Sequence, residues 1–394
     1  MKILIIPSWY PEKSGDISGS FFREQAIALA KHGHQVGVIY PQLRSLRAWK
    51  SAFAGPYGIV EELDNGMPTF RSYGIAWFPR IPYANTMLVI RHGLELYQRY
   101  IARHGKPDLI HAHSMLNGGV LARALSARHG IPYVVTEHST AYARGLVRAW
   151  QIRLARKVAS NAARRFAVSS PFCALLEQGL GTSEWRWEAM PNIVEKKFIE
   201  MPLARPTRAS SEFVFLNVAL LTAKKGVHHL IAAFARAFGD ERSVALKIGG
   251  DGVERPRLEA LAVKLGVADR VHFLGALTRE QVADQMASAD AFVLSSQYET
   301  FGVVVIEALA LGKPVIATRC GGPESIVREE DGLLVPSADV PALASAMQSL
   351  RANHAQYHAQ EIRAACIARF SEAAIVGRLG QVYADVLVEQ SLKH

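Results

Sequence analysis

Two periods of apolar and polar residues take turns along this chain. Ile3-Leu4-Ile5-Ile6 is an unbroken apolar run stopped by Pro7-Ser8, the pattern of a strand buried on both faces. After a loop over residues 10–20, Phe22, Ala26, Leu29 and Ala30 recur at helical spacing. Gly33-His34 ends that helix, and residues 35–40 read as a second strand. Strand, loop, helix, strand is one βαβ unit, and the same order of signals returns along the chain. Strands are predicted at 108–113, 133–135, 166–170, 213–221, 244–250, 270–277 and 291–294, and helices at 171–180, 227–237, 256–265, 281–289, 341–351 and 355–388. The fold class is α/β. No short-period repeat or low-complexity tract interrupts it.

The most informative stretch covers residues 291–327. The apolar run Ala291-Phe292-Val293-Leu294 ends in Ser295 and Ser296, a short loop follows, and a helix is predicted over 302–310, closed by Gly312 before Lys313-Pro314 opens the next strand. Ligands of such sheets sit beyond the carboxyl ends of the strands, where residues 297–302 fall. First-turn N–H groups from Phe301 to Val304, lacking partners within the helix, suit an anion such as a diphosphate. Glu299 and Glu307 bracket that helix start, and carboxylates grip sugar or ribose hydroxyls.

The run E-T-F-G-V-V-V-I-E at 299–307, followed by A-x-A-x-G-x-P-V-I-A-T and the pair Gly321-Gly322, resembles the donor-site signature of family 4 retaining glycosyltransferases. The resemblance implies the GT-B fold: two Rossmann-like domains facing a central cleft, with a C-terminal helix crossing back to the first. On this reading residues 1–197 bind the acceptor, 198–370 bind the nucleotide-sugar, and 371–394 form the crossover helix. Met190-Pro191-Asn192-Ile193-Val194 is similar to a family element closing the first domain. Residues 195–211, with Pro202, Pro206 and Ser210-Ser211, are the linker by composition and hold the hinge.

The resemblance assigns residues in both halves. Gly19, just before the first helix, matches a glycine that lets backbone approach the donor diphosphate. Lys225-Gly226 matches the end of G-R-L-x-x-x-K-G, whose cations clamp the phosphates; Ala219 and Leu220 stand where that pattern has Gly and Arg, so one cation is missing, and Lys224 or Arg319 are the substitutes at hand. Main chain near Leu277 is the expected base contact. Thr300, Phe301, Gly302 and Val303 belong to the donor site, Glu299 to the transferred sugar and Glu307 to the ribose. His113, at the carboxyl end of the strand over 108–113, is favoured as the residue steadying the sugar, with His111 and His138 as alternatives. In His-x-His the two side chains are expected on opposite faces, so that one of them looks toward the ligand.

The three cysteines are odd in number and far apart, which argues against a disulfide framework or a metal site and for a reducing cytoplasm. The first apolar run is too short for a signal peptide core. Net charge is +10, unevenly placed. Residues 1–197 hold 25 Lys and Arg against 13 Asp and Glu, while the remainder is nearly balanced. Basic residues concentrate over 44–50 and 144–165, where Leu146, Trp150, Ile152 and Leu154 interleave, a composition that suits an anionic membrane surface, at the inner membrane face for a cytoplasmic protein. No nucleic-acid-binding motif accompanies the charge.

The expected activity is retaining transfer of a sugar from a UDP-sugar or GDP-mannose to a glycan or lipid-linked acceptor, with no cofactor. No metal is expected, since no Asp-x-Asp sequence offers a carboxylate pair to hold Mg²⁺. A sugar-nucleotide epimerase or hydrolase of the same fold, and a basic nucleic-acid binder, are the rivals. A nicotinamide enzyme would need G-x-G-x-x-G after the first strand, and it is absent.

Overall fold

The computed structural model describes residues 1–12, 19–46, 49–78, 80–181, 185–203 and 212–392. It divides into unit 1, comprising Met1–Val168, Cys173–Met190 and Ile375–His394, and unit 2, comprising Ser169–Phe172 and Pro191–Ala374.

Unit 1 is built on β1 (Lys2–Pro7), β2 (Gln35–Ser45), β3 (Gly58–Asp64), β4 (Met67–Ala76), β5 (Leu109–His113), β6 (Tyr133–Glu137), β7 (Arg164–Ala167) and β8 (Glu188–Ala189), in the order β3-β4-β2-β1-β5-β6-β7-β8. All neighbours run parallel except β3 and β4. Ile3 lies between Val36 and Leu109, so β1 is central, and Ile3 to Ile6 are wholly buried, as the apolar run requires. The antiparallel edge hairpin was not anticipated from sequence, although Asn65-Gly66 marks it. Both residues have positive φ, 50° and 80°, the geometry that matches strand twist in a two-residue hairpin.

Unit 2 holds β9 (Phe213–Val218), β10 (Val244–Gly249), β11 (Val271–Gly275), β12 (Ala291–Leu294), β13 (Val315–Arg319) and β14 (Gly332–Pro336), all parallel, in the order β11-β10-β9-β12-β13-β14. One face is covered by the Val227–Phe238 and Val340–Ala352 helices. Leu230, Ile231 and Phe234 of the first and Leu343, Met347 and Leu350 of the second meet Phe215, Leu246 and Val293 of the sheet. Each unit is thus Rossmann-like, and each sheet changes winding direction once, between β1 and β5 and between β9 and β12.

The segment read as linker is structured at its start. Lys196–Glu200 is a short helix with Phe198 fully buried in unit 2, so residues 195–200 are packed where their composition pointed to a connector. Residues 204–211 of that segment lie outside the described residues, as do Ser18 before Gly19 and residues 47–48 of the basic stretch. Among the described residues no helix is long and apolar enough to cross a membrane.

The wholly buried Phe234 packs near Phe238, 5.8 Å between ring centroids. Phe234→Ala is expected to cost about 3–5 kcal/mol, read as a shifted midpoint in urea unfolding.

Candidate active site

In unit 2 the loops that leave β9 and β12 diverge at the switch point, and both carry predicted residues. Lys225 ends a 3-10 turn, Ala223–Lys225, whose next residue Gly226 has φ +62° and supports the start of the following helix. A Cβ at Gly226 would lie 2.1 Å from the Ser295 carbonyl oxygen, so only glycine lets the two loops approach. Gln297 N–H donates to the Lys224 carbonyl (2.8 Å) and Ser295 Oγ to that of Lys225 (3.0 Å). With the loops pinned together, Lys225 Nζ reaches Glu299 Oε1 at 2.5 Å, and Ser296 Oγ donates to the same oxygen at 2.8 Å.

Glu299 is fixed from the other side too. Its N–H donates to the Cys320 carbonyl (3.0 Å) and its carbonyl accepts from Gly322 N–H (2.8 Å). A Cβ at Gly322 would stand 2.1 Å from the Phe301 carbonyl oxygen, which accounts for the glycine pair. Thr300 accepts from Ser169 Oγ through its carbonyl (2.7 Å), and Phe301 is buried edge-on to Phe370. Gly302, at φ +107°, ends the loop, and the helix is Val303–Ala310. Phe301 and Gly302 therefore precede the helix instead of opening it, and the Val305 N–H is taken by the Gly302 carbonyl (2.9 Å).

Glu307 lies on the inner face of that helix, fully buried. One oxygen accepts from Arg279 Nη2 at 2.5 Å; the other, Oε2, has no hydrogen-bond partner. Burial pushes its carboxyl up and Arg279 pulls it back. Arg279 also reaches Glu195 Oε2 at 2.8 Å and lies over the Phe198 ring at 5.0 Å. Sequence reading missed Arg279. Its cue was a capping box, Thr278 with Gln281, which starts a helix directly after Leu277 and aims the first turn at Glu307. Leu277 packs its side chain over Gly249, while Leu220, at the missing arginine's place, is 64% exposed. Arg319 ends β13 on the same sheet edge, exposed.

In unit 1 Gly19 has φ 79° and precedes the Ser20–Lys31 helix; a Cβ there would meet the Trp9 carbonyl oxygen at 2.9 Å. His111 and His113 point the same way, with rings 4.3 Å apart, which corrects the expectation of opposite faces. Residues two apart on a strand share a face. His111 is consumed internally, between Tyr383 Oη (2.6 Å) and Thr136 Oγ1 (2.8 Å). His113 Nδ1 meets His138 Nε2 at 3.2 Å, and its own Nε2 is buried without a partner. His113, the position favoured by resemblance, is therefore left with one ring nitrogen that no protein group occupies. Beside them the buried Glu137, unassigned from sequence, accepts from the N–H groups of Met115, His138 and Ser139, at 2.8, 2.9 and 2.8 Å, and so ties the loops after β5 and β6. Among the described residues no group of three His, Cys, Asp or Glu side chains is placed to hold a metal ion.

Comparison with known proteins matches residues 18–198 to the model described as Glycosyltransferase Family 4 and residues 203–367 to that of Glycosyl transferases group 1. The chain belongs to the family 4 glycosyltransferases. An exopolysaccharide phosphotransferase of Streptomyces coelicolor is 37% identical over 46% of this chain and 19% of its own length. A lipopolysaccharide core biosynthesis glycosyltransferase of Rhizobium meliloti is 38% identical over 36% of this chain. The match covers 40% of that relative, so the chain spans well under half the length of these curated relatives. Sucrose-phosphate synthase of Thermosynechococcus elongatus superposes with a TM-score of 0.77 at 24% identity, covering 98% of this chain and 99% of that one. Anabaena HepE in complex with UDP and glucose gives 0.73 at 21%, covering 98% and 100%. At those identities the likeness establishes the fold, which is GT-B. This family 4 chain departs from the family pattern at Ala219 and Leu220 and keeps Lys225-Gly226 and the run at 299–307.

Burial drives the imidazoles of His113 and His138 well below their ordinary value and that of His111 down to about 3. Unfolding lets each take a proton near pH ~6.5 that the folded chain refuses. Stability is therefore full above that pH and falls as pH drops from there toward 3. Glu137, pushed up by burial, offsets part of this by taking a proton earlier when folded. Denaturant midpoints measured between pH 7.5 and 4.5 should show uptake of more than one proton on unfolding, and His111→Asn should reduce that uptake by about one.

Proposed function

We propose that the chain is a retaining, metal-independent glycosyltransferase, moving a sugar from a nucleotide-diphosphate donor, a UDP-sugar or GDP-mannose, to a glycan or lipid-linked acceptor in surface polysaccharide or glycolipid synthesis. The observation that carries the reading is the Lys225–Glu299 pair at the β9/β12 switch point, beside the start of the Val303–Ala310 helix. A cation, a carboxylate and free first-turn N–H groups are what a sugar joined to a diphosphate requires.

Unit 2 takes the donor. Lys225, with three N–H donors, reaches a phosphate oxygen while still touching Glu299, and with the N–H groups of Val303 and its neighbours meets the charge that grows on the leaving phosphate. Glu299 accepts from hydroxyls of the transferred sugar. Glu307 Oε2, buried and unpartnered, accepts from a ribose hydroxyl, and the bond from Arg279 favours the ionised form against the opposing effect of burial. The base lies along main chain near Leu277. Unit 1 takes the acceptor, with Gly19 leaving its backbone open to a ligand and His113 Nε2 able to accept from a sugar hydroxyl. No carboxylate among these residues is placed as a nucleophile, so retention follows attack on the leaving group's own face. The bond from the anomeric carbon to the phosphate oxygen breaks, the acceptor oxygen bonds to that carbon, and the departing phosphate takes the acceptor's proton. Metal independence rests on the missing Asp-x-Asp sequence. The relatives named for lipopolysaccharide core and exopolysaccharide support the pathway class, and the HepE complexes with UDP support the donor class.

Nucleotide release from a panel of UDP- and GDP-sugars, with and without lipid and glycan extracts, tests the reading. Lys225→Ala is expected to lower kcat by about 10²–10³-fold and Glu299→Ala by about 10²-fold. Native turnover in Glu299→Ala would remove that residue from the site, and donor breakdown indifferent to any acceptor would indicate a hydrolase.

A further inference from the structure

Unit 1 contains a cavity of about 380 Å³ that none of the predicted catalytic or donor-site residues lines, although Leu146, Trp150 and Leu154 of the basic stretch do. This is within the ~300–1,000 Å³ usual for small-molecule sites. It is lined by Leu116 and Asn117 of the loop after β5, by Asn85, and by Leu146, Arg148 and Trp150. It thus opens past the carboxyl end of β5, beside the switch point of this sheet. The loop is held under strain, with Ser114 and Asn117 at φ 67° and 65°, and Ser8 Oγ bonds its backbone at Leu116 (2.5 Å) and Gly118 (3.0 Å). Strained non-glycine backbone persists where surrounding contacts over-determine it, commonly at ligand sites.

The rim of the cavity is apolar and faces water. Tyr83 lies 5.1 Å from Trp150, ring to ring; the Phe78 N–H donates to Asn85 Oδ1; and Trp77 stands 6.2 Å from Phe53. These contacts link Phe53, Trp77, Phe78 and Tyr83, all exposed, to the cavity residues Asn85 and Trp150, beside which the exposed Leu146 also lines the cavity; Trp77 is 54% and Ile81 57% exposed, and Met87 is exposed as well. A contiguous band of this kind marks a binding surface. Its charge is one-sided. Residues 65–94 and 138–176, which supply most of the band and the cavity wall, contain no Asp or Glu; Arg71 is buried against Glu62 and Arg164 is paired with Glu389, while Arg80, Arg91, Arg144, Arg148, Arg153, Arg156 and Lys157 are exposed. By contrast the Ala149–Asn161 helix spends its own apolar side, Ala155, Val158 and Ala159, on the interior.

We infer that the cavity and its rim are the acceptor site, and that the acceptor is an anionic amphiphile: a saccharide joined through phosphate to a long hydrocarbon chain. The inference rests on the glycosyltransferase reading and narrows its two acceptor classes to the lipid-linked one. The Trp150 ring and the Asn85 and Asn117 amides suit a sugar, Arg148 suits the phosphate, and the hydrocarbon covers Trp77, Phe78 and Ile81. A second copy of this chain fits less well, because a two-fold interface would set one acid-free basic surface against itself.

Dodecyl phosphate, titrated below its micelle concentration into the full chain by calorimetry, separates the ideas. It should bind at least tenfold more tightly than inorganic phosphate, which lacks the tail, or dodecyl maltoside, which lacks the charge. Arg148→Ala and the double variant Trp77→Ser/Ile81→Ser, all at exposed positions, should each weaken it at least tenfold, with unchanged melting temperature and unchanged UDP binding. Equal affinity for the three probes, or affinity that both variants retain, overturns the inference, as does a native dimer that the Trp77→Ser/Ile81→Ser variant dissociates. Loss of all UDP and GDP binding in the native chain would instead defeat the glycosyltransferase reading, and this one with it.

Discussion

The approach of two loops at the β9/β12 switch point is the constraint on which the rest of unit 2 depends. Parallel strands leave their carboxyl ends open, and where the winding reverses, neighbouring loops part and leave a gap. Here the gap is bridged from below by backbone, Gln297 to Lys224, and from above by the Lys225–Glu299 pair. Gly226 makes the lower bridge possible by having no side chain to collide with Ser295. A charged pair held over an open strand edge can exchange part of its mutual attraction for a ligand that carries both phosphate and hydroxyls.

The two glutamates differ in environment more than their symmetrical spacing suggests. Glu299 sits at a loop surface and shares one oxygen between Lys225 and Ser296. Glu307 is sealed in the interior, and a lone carboxylate there would be costly. Arg279 lowers that cost, and Glu195 in turn balances Arg279, whose charge is sustained against burial by both partners. Because the packed segment after Asn192 supplies Glu195, that segment and the buried Glu307 belong to one ion network. That segment cannot be a free connector.

Unit 1 works with neutral groups. The imidazoles of His111, His113 and His138 are too deeply buried to hold protons near neutrality, so they act through hydrogen bonds. Tyr383 and Thr136 occupy both nitrogens of His111, and His138 occupies one of His113. His113 Nε2 has no partner in the protein, a neutral nitrogen suited to a sugar hydroxyl and ill-suited to a phosphate. The charge of this unit lies elsewhere, on acid-free surface segments.

The α/β class, the alternation of strands and helices, and the donor signature at 299–307 were all legible in the residues, because apolar periodicity and the punctuation of Gly and Pro are local properties. Lys225 and Glu299 were singled out by their place in a family pattern, and the structure brings their side chains into contact. The edge hairpin over residues 58–76 went unread despite its Asn-Gly turn, and the faces of His111 and His113 were assigned wrongly. What tertiary structure alone decided is which residues separated in sequence come within hydrogen-bond reach. Arg279 beside Glu307 and Glu195, Tyr383 on His111 and the cavity among Asn85, Asn117 and Trp150 depend on strand order and helix packing, and no local pattern encodes a distance between residues tens to hundreds of positions apart.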